Sequence, residues 1–272
     1  MSLGASIADL PHALTDQDEL ERRLAGRRPV VFLDYDGTLT PIVDRPEDAV
    51  ISESMRDAVR GLAARSTVCV VSGRDRPVVQ ELMGVDDLVV AGSHGFDIWS
   101  PEGGSIQHDA AAGSEELLDR VTARLRDELD PIEGALVEPK KASVAAHYRL
   151  VADEERPVVH AVVERVLADH PDELKVTPGK MVYELQPKLD WDKGKAVLYL
   201  LEALDLEADD VVPFYLGDDI TDEHAFEALA GRGIGVFVGR AGDPEVGGRT
   251  TAAHFVLDSP EEVERFLDTL AR

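Results

Sequence analysis

The stretch RPVVFLDYDGTL at residues 28–39 decides the fold of this chain. It begins with an apolar run and ends at two aspartates and a Gly-Thr turn, which is typical of a buried parallel strand. The chain then alternates, with helical spacing over 52–66, an apolar strand over 67–73, a short helix, and a third strand over 87–95. This β-α-β-α-β order predicts a parallel sheet with helices on its faces.

The pattern changes after the third strand. A hairpin is predicted over 97–107, and an α-β-β-α-β-β order follows, with helices at about 114–129 and about 153–169. A helix over 192–206 and a strand over 211–219 then resume the first pattern. The order of helices and strands in the middle segment therefore predicts a separate layer of helices on an antiparallel sheet.

These patterns together predict the fold class and the domains. The fold class is α/β, with a doubly wound, mostly parallel, Rossmann-like core sheet and an inserted α+β cap domain. We expect the core to comprise residues 1–105 and 186–272, and the cap to comprise residues 106–185.

Charge and composition limit the classes of function. The 272 residues carry 54 acidic and 28 basic side chains, a net charge of −26, so nucleic acids and anionic membranes are poor partners. No apolar run reaches the ~18 residues of a membrane-spanning helix, and the amino terminus lacks a secretory signal, so we expect a cytoplasmic protein. Cys69 is the only cysteine in the sequence, which excludes an intrachain disulfide.

Two acids, Asp34 and Asp36, follow the first predicted strand, at the edge where open α/β sheets bind ligands. Gly37 allows a sharp turn that would direct both carboxylates into the crevice. One carboxylate can attack phosphorus and form an aspartyl phosphate. The other can protonate the leaving alcohol and then deprotonate a water molecule. Taken alone, the pair could also cap a turn.

Polar residues also follow two other predicted strands. Ser72-Gly73-Arg74 offers a hydroxyl and backbone N–H groups to phosphate oxygens. Lys193 opens a helix, and the strand after that helix ends in Gly217-Asp218-Asp219, with Asp222 close behind. Acids that converge from two strands repel one another unless a divalent cation lies between them. Hard oxygen ligands indicate Mg²⁺, and the lysine can neutralise phosphoryl oxygens.

This ordered set of residues resembles the haloacid-dehalogenase-like phosphatases. The four motifs of that family match, in order, Asp34-Tyr35-Asp36-Gly37-Thr38, Ser72-Gly73-Arg74, Lys193 and Gly217-Asp218-Asp219-x-x-Asp222. The resemblance implies that four residues are catalytic: Asp34 as the nucleophile, Asp36 as the acid/base, Ser72 and Lys193.

The same resemblance implies a metal site. Its ligands would be the Asp34 side chain, the Asp36 carbonyl and Asp218. Asp222 and Asp219 would hold these ligands in position without binding the metal directly. The cofactor implied by the family is Mg²⁺.

The insertion lies between the second and third motifs, which resembles the C2 type of cap. Within that class the chain resembles the trehalose-6-phosphate phosphatase family over about residues 28–260. The resemblance rests on these segments: DYDGTLTPI (34–42), Ser93-His94-Gly95, Glu138-x-Lys140, His147-Tyr148-Arg149, Gly179-Lys180-x-x-x-Glu184 and Gly217-Asp218-Asp219-x-Thr221-Asp222-Glu223.

This resemblance also implies the residues that bind substrate. In the cap, charged residues would bind sugar hydroxyls: Glu138, Lys140, Arg149, Lys180 and Glu184. The same charges could instead form a solvated face of the cap sheet. In the core, the expected substrate contacts are Gly73, Arg74, His94 and Gly95. His94 could instead be structural, and Arg74 could pair with an acid.

The predicted reaction is the Mg²⁺-dependent hydrolysis of trehalose 6-phosphate to trehalose and phosphate through an aspartyl phosphate. The alternatives are a phosphatase of sucrose phosphate or mannosyl-3-phosphoglycerate, a phosphomutase, and a non-catalytic domain that binds sugar phosphate. The expected partner is a small sugar phosphate, with a functional link to a trehalose-phosphate synthase. Neither nucleic acid nor membrane is an expected partner.

Overall fold

The computed structural model describes residues 4–107, 114–244 and 246–271. These residues form two compact units. The core unit contains the described chain up to Ile106 and from Asp192 onward, and the inserted unit is Gln107–Trp191. The inserted unit extends through Trp191, beyond the boundary expected at residue 185.

The core unit is built from two separate parts of the chain. Its first part contains β1 Ala5–Ser6, α1 Gln17–Leu24, β2 Arg28–Leu33, α2 Glu53–Ala63, β3 Val68–Val71, α3 Arg76–Met83, β4 Val89–Gly92, β5 Asp97–Ser100 and β6 Gly104–Gln107. The inserted unit contains α4 Glu115–Leu129, β7 Leu136–Pro139, β8 Val144–His147, α5 Arg156–Asp169, β9 Leu174–Gly179 and β10 Val182–Pro187. The second part of the core contains α6 Lys193–Ala203, β11 Val211–Gly217, α7 Ile220–Ala228, β12 Ile234–Val238, β13 Thr250–Thr251, β14 Phe255–Leu257 and α8 Pro260–Leu270.

The core sheet confirms the predicted fold class. Its eight strands lie in the order β14-β12-β11-β2-β3-β4-β5-β6. The strands from β14 to β4 pair in parallel, and β5 pairs with β4 antiparallel. The chain runs outward from β2 to β4 and later returns on the other side of β2 through β11. The direction of winding therefore reverses between β2 and β11, and ligands bind at such a switch point.

Strand β2 shows why the central strands are almost wholly apolar. Val31 and Leu33 pack into the core layer that contains Phe214 and Phe266. Val30 and Phe32 face the opposite layer, with helix α6 residues such as Leu201. Because helices cover both faces of the sheet, both sets of alternating side chains must be apolar.

The inserted unit has one apolar and one polar face. Its four strands form an antiparallel sheet in the order β7-β8-β10-β9, and its apolar side packs on α4 and α5. On the other side, Glu138, Ala145, Glu184 and Thr177 lie in one row across the four strands. The pleat places alternate residues on opposite faces, so this unit presents a polar sheet face opposite its helices.

Two elements before the first predicted strand were not foreseen from the sequence. The two-residue strand β1 pairs antiparallel with β13, and α1 begins at Gln17. Among the described residues, no helix combines the length and the apolar character needed to cross a membrane.

Candidate active site

The loop after β2 places Asp34 at the switch point. The Asp34 N–H donates to Leu216 O of β11 (2.9 Å), and the Tyr35 N–H donates to the Asp34 Oδ1 atom (2.8 Å). Gly37 follows in the left-handed region with φ 78°. A Cβ atom at Gly37 would lie 2.2 Å from Asp218 Oδ2. Glycine is therefore required here, because the Asp218 carboxylate occupies the space beside it.

Lys193 connects two of the predicted site aspartates. It is the first residue of α6, and its side chain is buried. The ammonium Nζ lies 3.0 Å from Asp34 Oδ2 and 2.6 Å from Asp222 Oδ1. The Asp192 side chain caps the helix by accepting from the Lys195 N–H. This cap fixes the helix start that carries the ammonium group to the end of β2.

Asp222 accepts hydrogen bonds from four groups. Its Oδ1 atom accepts from Lys193 Nζ (2.6 Å) and from the Tyr215 hydroxyl (2.6 Å). Its Oδ2 atom accepts from the N–H groups of Asp218 (3.0 Å) and Asp219 (2.9 Å). Asp219 also caps helix α7 through its carboxylate. The Asp222 carboxylate thus orders the loop between β11 and α7, which carries Asp218.

The buried charges shift pKa values in opposite directions. Burial raises the pKa of Asp34, and the negative charges of Asp222, Asp218 and Asp36 raise it further, against the attraction of Lys193. Burial also opposes ionisation of Asp222, but Lys193 and the other donors outweigh it and lower the pKa of Asp222. Burial alone would lower the pKa of Lys193, but the two aspartates raise it. The lysine is therefore charged beside an ionised Asp222.

Three buried carboxylates form a group that fits a divalent cation. Oxygen atoms of Asp34, Asp218 and Asp222 lie within 4.8 Å of one another. If all three are ionised, the single ammonium of Lys193 leaves two negative charges in this buried place. Such an excess of buried negative charge is unfavourable without a counter-ion. Carboxylate oxygens are ligands that Mg²⁺ accepts. The residues present therefore fit the expected metal.

Asp36 binds a different partner from the other acids. Its carboxylate accepts two hydrogen bonds from Arg74, from Nε (2.7 Å) and from Nη2 (2.7 Å). Arg74 also donates from Nη1 to Pro46 O (2.8 Å). Arg74 thus pairs with an acid, which is one of the two alternatives predicted for it.

Ser72, Gly73, His94 and Gly95 meet at the ends of β3 and β4. Ser72 is buried; its hydroxyl accepts from the Arg74 N–H (3.1 Å), and its carbonyl accepts from the His94 N–H (2.8 Å). Ser93, His94 and Gly95 all have positive φ (50°, 56° and 93°). A Cβ atom at Gly73 would lie 2.8 Å from the His94 ring. The glycine thus lets this strained turn place the imidazole against the loop after β3.

The predicted sugar-binding residues lie in the inserted unit. Lys140 Nζ donates to both oxygens of Glu184 (2.9 and 3.2 Å), and the Ser143 hydroxyl also donates to Glu184. Both side chains of the Lys140–Glu184 pair are 9% exposed.

The other predicted sugar-binding residues have neighbours of their own. The Glu138 carboxylate lies 2.8 Å from His147 Nε2, and Arg149 Nη2 donates to Lys180 O (2.7 Å). Of these contacts, the one around Glu184 is buried.

Three residues of these contacts were not among the predicted site residues. Tyr215 looks like one more apolar residue of a buried strand, and Ser143 lies beside the apolar run Val144-Ala145-Ala146. His147 belongs to the segment His147-Tyr148-Arg149, but no role was predicted for it. For Ser143 and His147 the signal is alternation, because with Ala145 they occupy alternate positions and share a strand face with Glu184 in the observed register. The sequence offers no such signal for Tyr215.

Comparison with known proteins identifies the family of this chain. The family model for trehalose-phosphatase matches residues 32–261. An uncharacterized glycosyl hydrolase of Mycobacterium tuberculosis is 44% identical over 98% of this chain, and a trehalose-phosphate phosphatase of the same organism is 42% identical over 98%. The chain spans only 20% of the first protein and 67% of the second.

A solved structure shows the same fold. The C-terminal domain of trehalose-6-phosphate phosphatase from Candida albicans superposes with a TM-score of 0.79 at 23% identity, covering 96% of this chain and 98% of that chain. The core sheet, the insertion and the acids at the switch point define a protein of the haloacid-dehalogenase-like fold. Within that class, this chain belongs to the trehalose-phosphatase family.

Proposed function

We propose that this chain hydrolyses trehalose 6-phosphate to trehalose and phosphate in a Mg²⁺-dependent reaction. The observation that carries the proposal is the buried set of Asp34, Lys193, Asp218 and Asp222 at the switch point of the core sheet. Membership of the trehalose-phosphatase family supports the choice of substrate. So does the 42% identity to proteins named trehalose-phosphate phosphatase.

Asp34 acts as the nucleophile in this proposal. A carboxylate oxygen of Asp34 forms a bond to phosphorus while the bond from phosphorus to the sugar oxygen breaks, which gives an aspartyl phosphate. Asp36 donates a proton to the sugar oxygen as it leaves. Asp36 then takes a proton from water, which attacks phosphorus and releases phosphate and the Asp34 carboxylate.

Lys193 and the loop after β3 support this chemistry. The Lys193 ammonium lies 3.0 Å from Asp34 Oδ2, where it can stabilise negative charge on the transferring group. Ser72 and the backbone of Gly73 are proposed to contact phosphate oxygens. Arg74 and the turn at His94–Gly95 are proposed to contact substrate, with Arg74 also holding Asp36.

The proposed ligands of Mg²⁺ are Asp34, Asp218 and the Asp36 carbonyl. Asp222 and Asp219 support them, because Asp222 accepts the N–H groups of Asp218 and Asp219. When bound, Mg²⁺ offsets the charge of the acids and of the phosphoryl group.

The sugar is proposed to bind on the polar sheet face of the inserted unit. Glu184 and Lys140 provide a buried carboxylate and ammonium, and Glu138 extends the same row. Arg149 and Lys180 complete the predicted set. A sugar hydroxyl can both donate and accept hydrogen bonds, so paired acidic and basic groups suit it. The cytoplasmic location and the functional link to a synthase stay predictions.

A panel of sugar phosphates tests the proposal. Trehalose 6-phosphate, sucrose 6-phosphate, mannosyl-3-phosphoglycerate and glucose 6-phosphate are each incubated with the protein, and phosphate release is measured with Mg²⁺ and after EDTA treatment. We expect rapid release from trehalose 6-phosphate, loss of it in EDTA, and its return when Mg²⁺ is restored. Preference for another substrate would reassign the enzyme within its class. Release from none would favour a non-catalytic binding domain.

A further inference from the structure

The phenol of Tyr215 lies beneath the candidate metal site, in a place where an apolar residue would be expected. Tyr215 belongs to β11, and its side chain is fully buried. Its ring packs edge-on against Phe226, with the ring centroids 5.7 Å apart. Phe32 and Val197 belong to the same apolar layer. A polar hydroxyl in such a layer is costly unless it has a hydrogen-bond partner.

The partner of this hydroxyl is the carboxylate of Asp222. The Tyr215 hydroxyl donates to Asp222 Oδ1 at 2.6 Å. The same oxygen atom accepts from Lys193 Nζ, also at 2.6 Å. The phenol and the ammonium therefore share one oxygen of Asp222, while the other oxygen accepts two backbone N–H groups.

This sharing has consequences for the Lys193 ammonium. Lys193 is also 3.0 Å from Asp34 Oδ2, so the two aspartates compete for one positive charge. The phenol donates to Asp222 and stabilises part of its negative charge. Without the phenol, Asp222 would attract Lys193 more strongly, and Asp34 would lose part of its neutralising partner.

The hydrogen bond from Tyr215 also affects whether Asp222 can bind the metal. Asp222 oxygens lie within 4.8 Å of oxygens of Asp34 and Asp218, close enough for Asp222 to serve as a third carboxylate ligand. Four donors already occupy the Asp222 carboxylate. The phenol is one of the two that hold Oδ1, and its removal would leave that oxygen with a single donor.

We propose that Tyr215 is a positioning residue. Its hydroxyl donates to Asp222 and keeps that carboxylate bound to Lys193 and to the N–H groups of the β11–α7 loop. Held in this way, the Asp222 carboxylate does not become a metal ligand. The proposal rests on the Mg²⁺ site of the proposed function. It adds a residue that contacts neither substrate nor metal and acts only through Asp222.

The test is Tyr215→Phe, which removes the hydroxyl and keeps the ring. Mg²⁺ binding to the metal-free protein is measured by calorimetry, and phosphate release from trehalose 6-phosphate is measured separately. We expect kcat to fall by about 10-fold, because Asp34 loses part of its contact with Lys193 and groups that orient metal ligands typically have effects of this size. Mg²⁺ affinity should rise by about 10-fold, because Asp222 then becomes available as a third carboxylate ligand. The KM for the sugar phosphate should stay within about twofold, because the change removes no substrate contact.

Thr122→Val is the control. Thr122 is also buried, and its hydroxyl donates to Leu118 O (2.8 Å) rather than to Asp222. Both variants lose one buried hydroxyl hydrogen bond, so a loss in Tm is expected in each. Mg²⁺ affinity should rise only in Tyr215→Phe. An unchanged Mg²⁺ affinity in folded Tyr215→Phe overturns the proposal, and so does an equal change in the two variants.

A double-mutant cycle with Asp222→Asn tests whether Tyr215 acts through Asp222. In the Asp222→Asn background, Tyr215→Phe should have no further effect on Mg²⁺ affinity. Effects that simply add would overturn the proposal. The calorimetry needs no sugar phosphate. A wild-type protein that binds Mg²⁺ but releases no phosphate would contradict the proposed function and still leave the role of Tyr215 measurable.

Discussion

The guanidinium group of Arg74 binds both carboxylate oxygens of Asp36, with Nε to Oδ2 and Nη2 to Oδ1 each at 2.7 Å. Arg74 is itself fixed by its hydrogen bond to Pro46 O and by its position over the Tyr35 ring, 5.5 Å from the centroid. The orientation of the proposed acid/base is therefore set by a residue that follows a different strand. Planar, paired hydrogen bonds of this kind are specific to arginine.

Arg74→Lys should lower kcat although it keeps the positive charge. A lysine ammonium is a point charge and does not reproduce the fork that fixes the Asp36 carboxylate. We expect kcat to fall by about 10-fold in Arg74→Lys and by about 100-fold in Arg74→Ala, because small misplacements of a reacting group have effects of this order. Steady-state rates with trehalose 6-phosphate and p-nitrophenyl phosphate measure both.

The two substrates distinguish the roles proposed for Arg74. If Arg74 acts by holding Asp36, kcat should fall for both substrates, since each gives the same aspartyl phosphate and its hydrolysis needs Asp36 to take a proton from water. A loss seen only as a higher KM for trehalose 6-phosphate would show that Arg74 contacts substrate and that its pairing with Asp36 is unimportant.

Asp34→Asn should abolish turnover and leave the fold intact. The amide cannot attack phosphorus, so we expect a loss of at least ~10⁴-fold for both substrates. Circular dichroism and the Tm check the fold. Asn is close in shape to Asp, so Lys193 keeps its contact with Asp222. A variant with normal spectra and wild-type rates would rule out the covalent mechanism.

The same variant should be more stable than the wild type when metal is absent. The pKa of Asp34 is raised, first by burial and then by neighbouring acids. Above the unfolded value near 3.8, the unfolded state ionises first and the native state holds more protons, so stability falls as pH rises through the folded pKa. The Asp34→Asn variant has no carboxyl group at this position, so it does not lose this part of its stability as pH rises.

The measurement is denaturation in EDTA at several pH values. The stability advantage of Asp34→Asn should be small at about pH 4 and should grow toward neutral pH. In excess Mg²⁺ the wild type should be the more stable of the two proteins, because a ligand that binds only the native state stabilises it. An advantage that is independent of pH would show that ionisation of Asp34 is not its cause.

Much of the fold followed from the apolar runs of the sequence. The runs before Asp34, Ser72 and Asp218 are buried on both faces, so their composition alone identified parallel strands. Strand β1 has two residues and is held by its pairing with β13, a long-range contact that leaves no periodic pattern. Helix α6 ends at Ala203, before the end predicted at residue 206.

The pairing of site residues could not be predicted in the same way. The acids at strand ends indicated a shared crevice, but not that Arg74 binds Asp36 while Lys193 lies between Asp34 and Asp222. Such choices depend on side-chain reach and on strand register. Ser143 and Glu184 are 41 positions apart and meet only because β8 and β10 are neighbours.

The buried contact around Glu184 leads to the last prediction. Glu184 accepts hydrogen bonds from Lys140 and from Ser143 on the polar sheet face of the inserted unit. We expect Glu184→Ala to lower kcat/KM for trehalose 6-phosphate by ~10²-fold, since polar groups of the site lose their partner. Ser143→Ala keeps the carboxylate and the lysine but removes one of the donors that fix them, so a loss of about 10-fold is expected.

Hydrolysis of p-nitrophenyl phosphate should stay within about twofold of wild type in both variants, because that substrate has no sugar to recognise. Glu128→Ala is the matched control. Glu128 belongs to the same unit and binds Arg124 and Arg165, but it lies on helix α4 instead of the polar sheet face. It should change neither activity. Equal losses on both substrates in Glu184→Ala would show that Glu184 supports the fold, and no loss on either would remove this sheet face from sugar recognition.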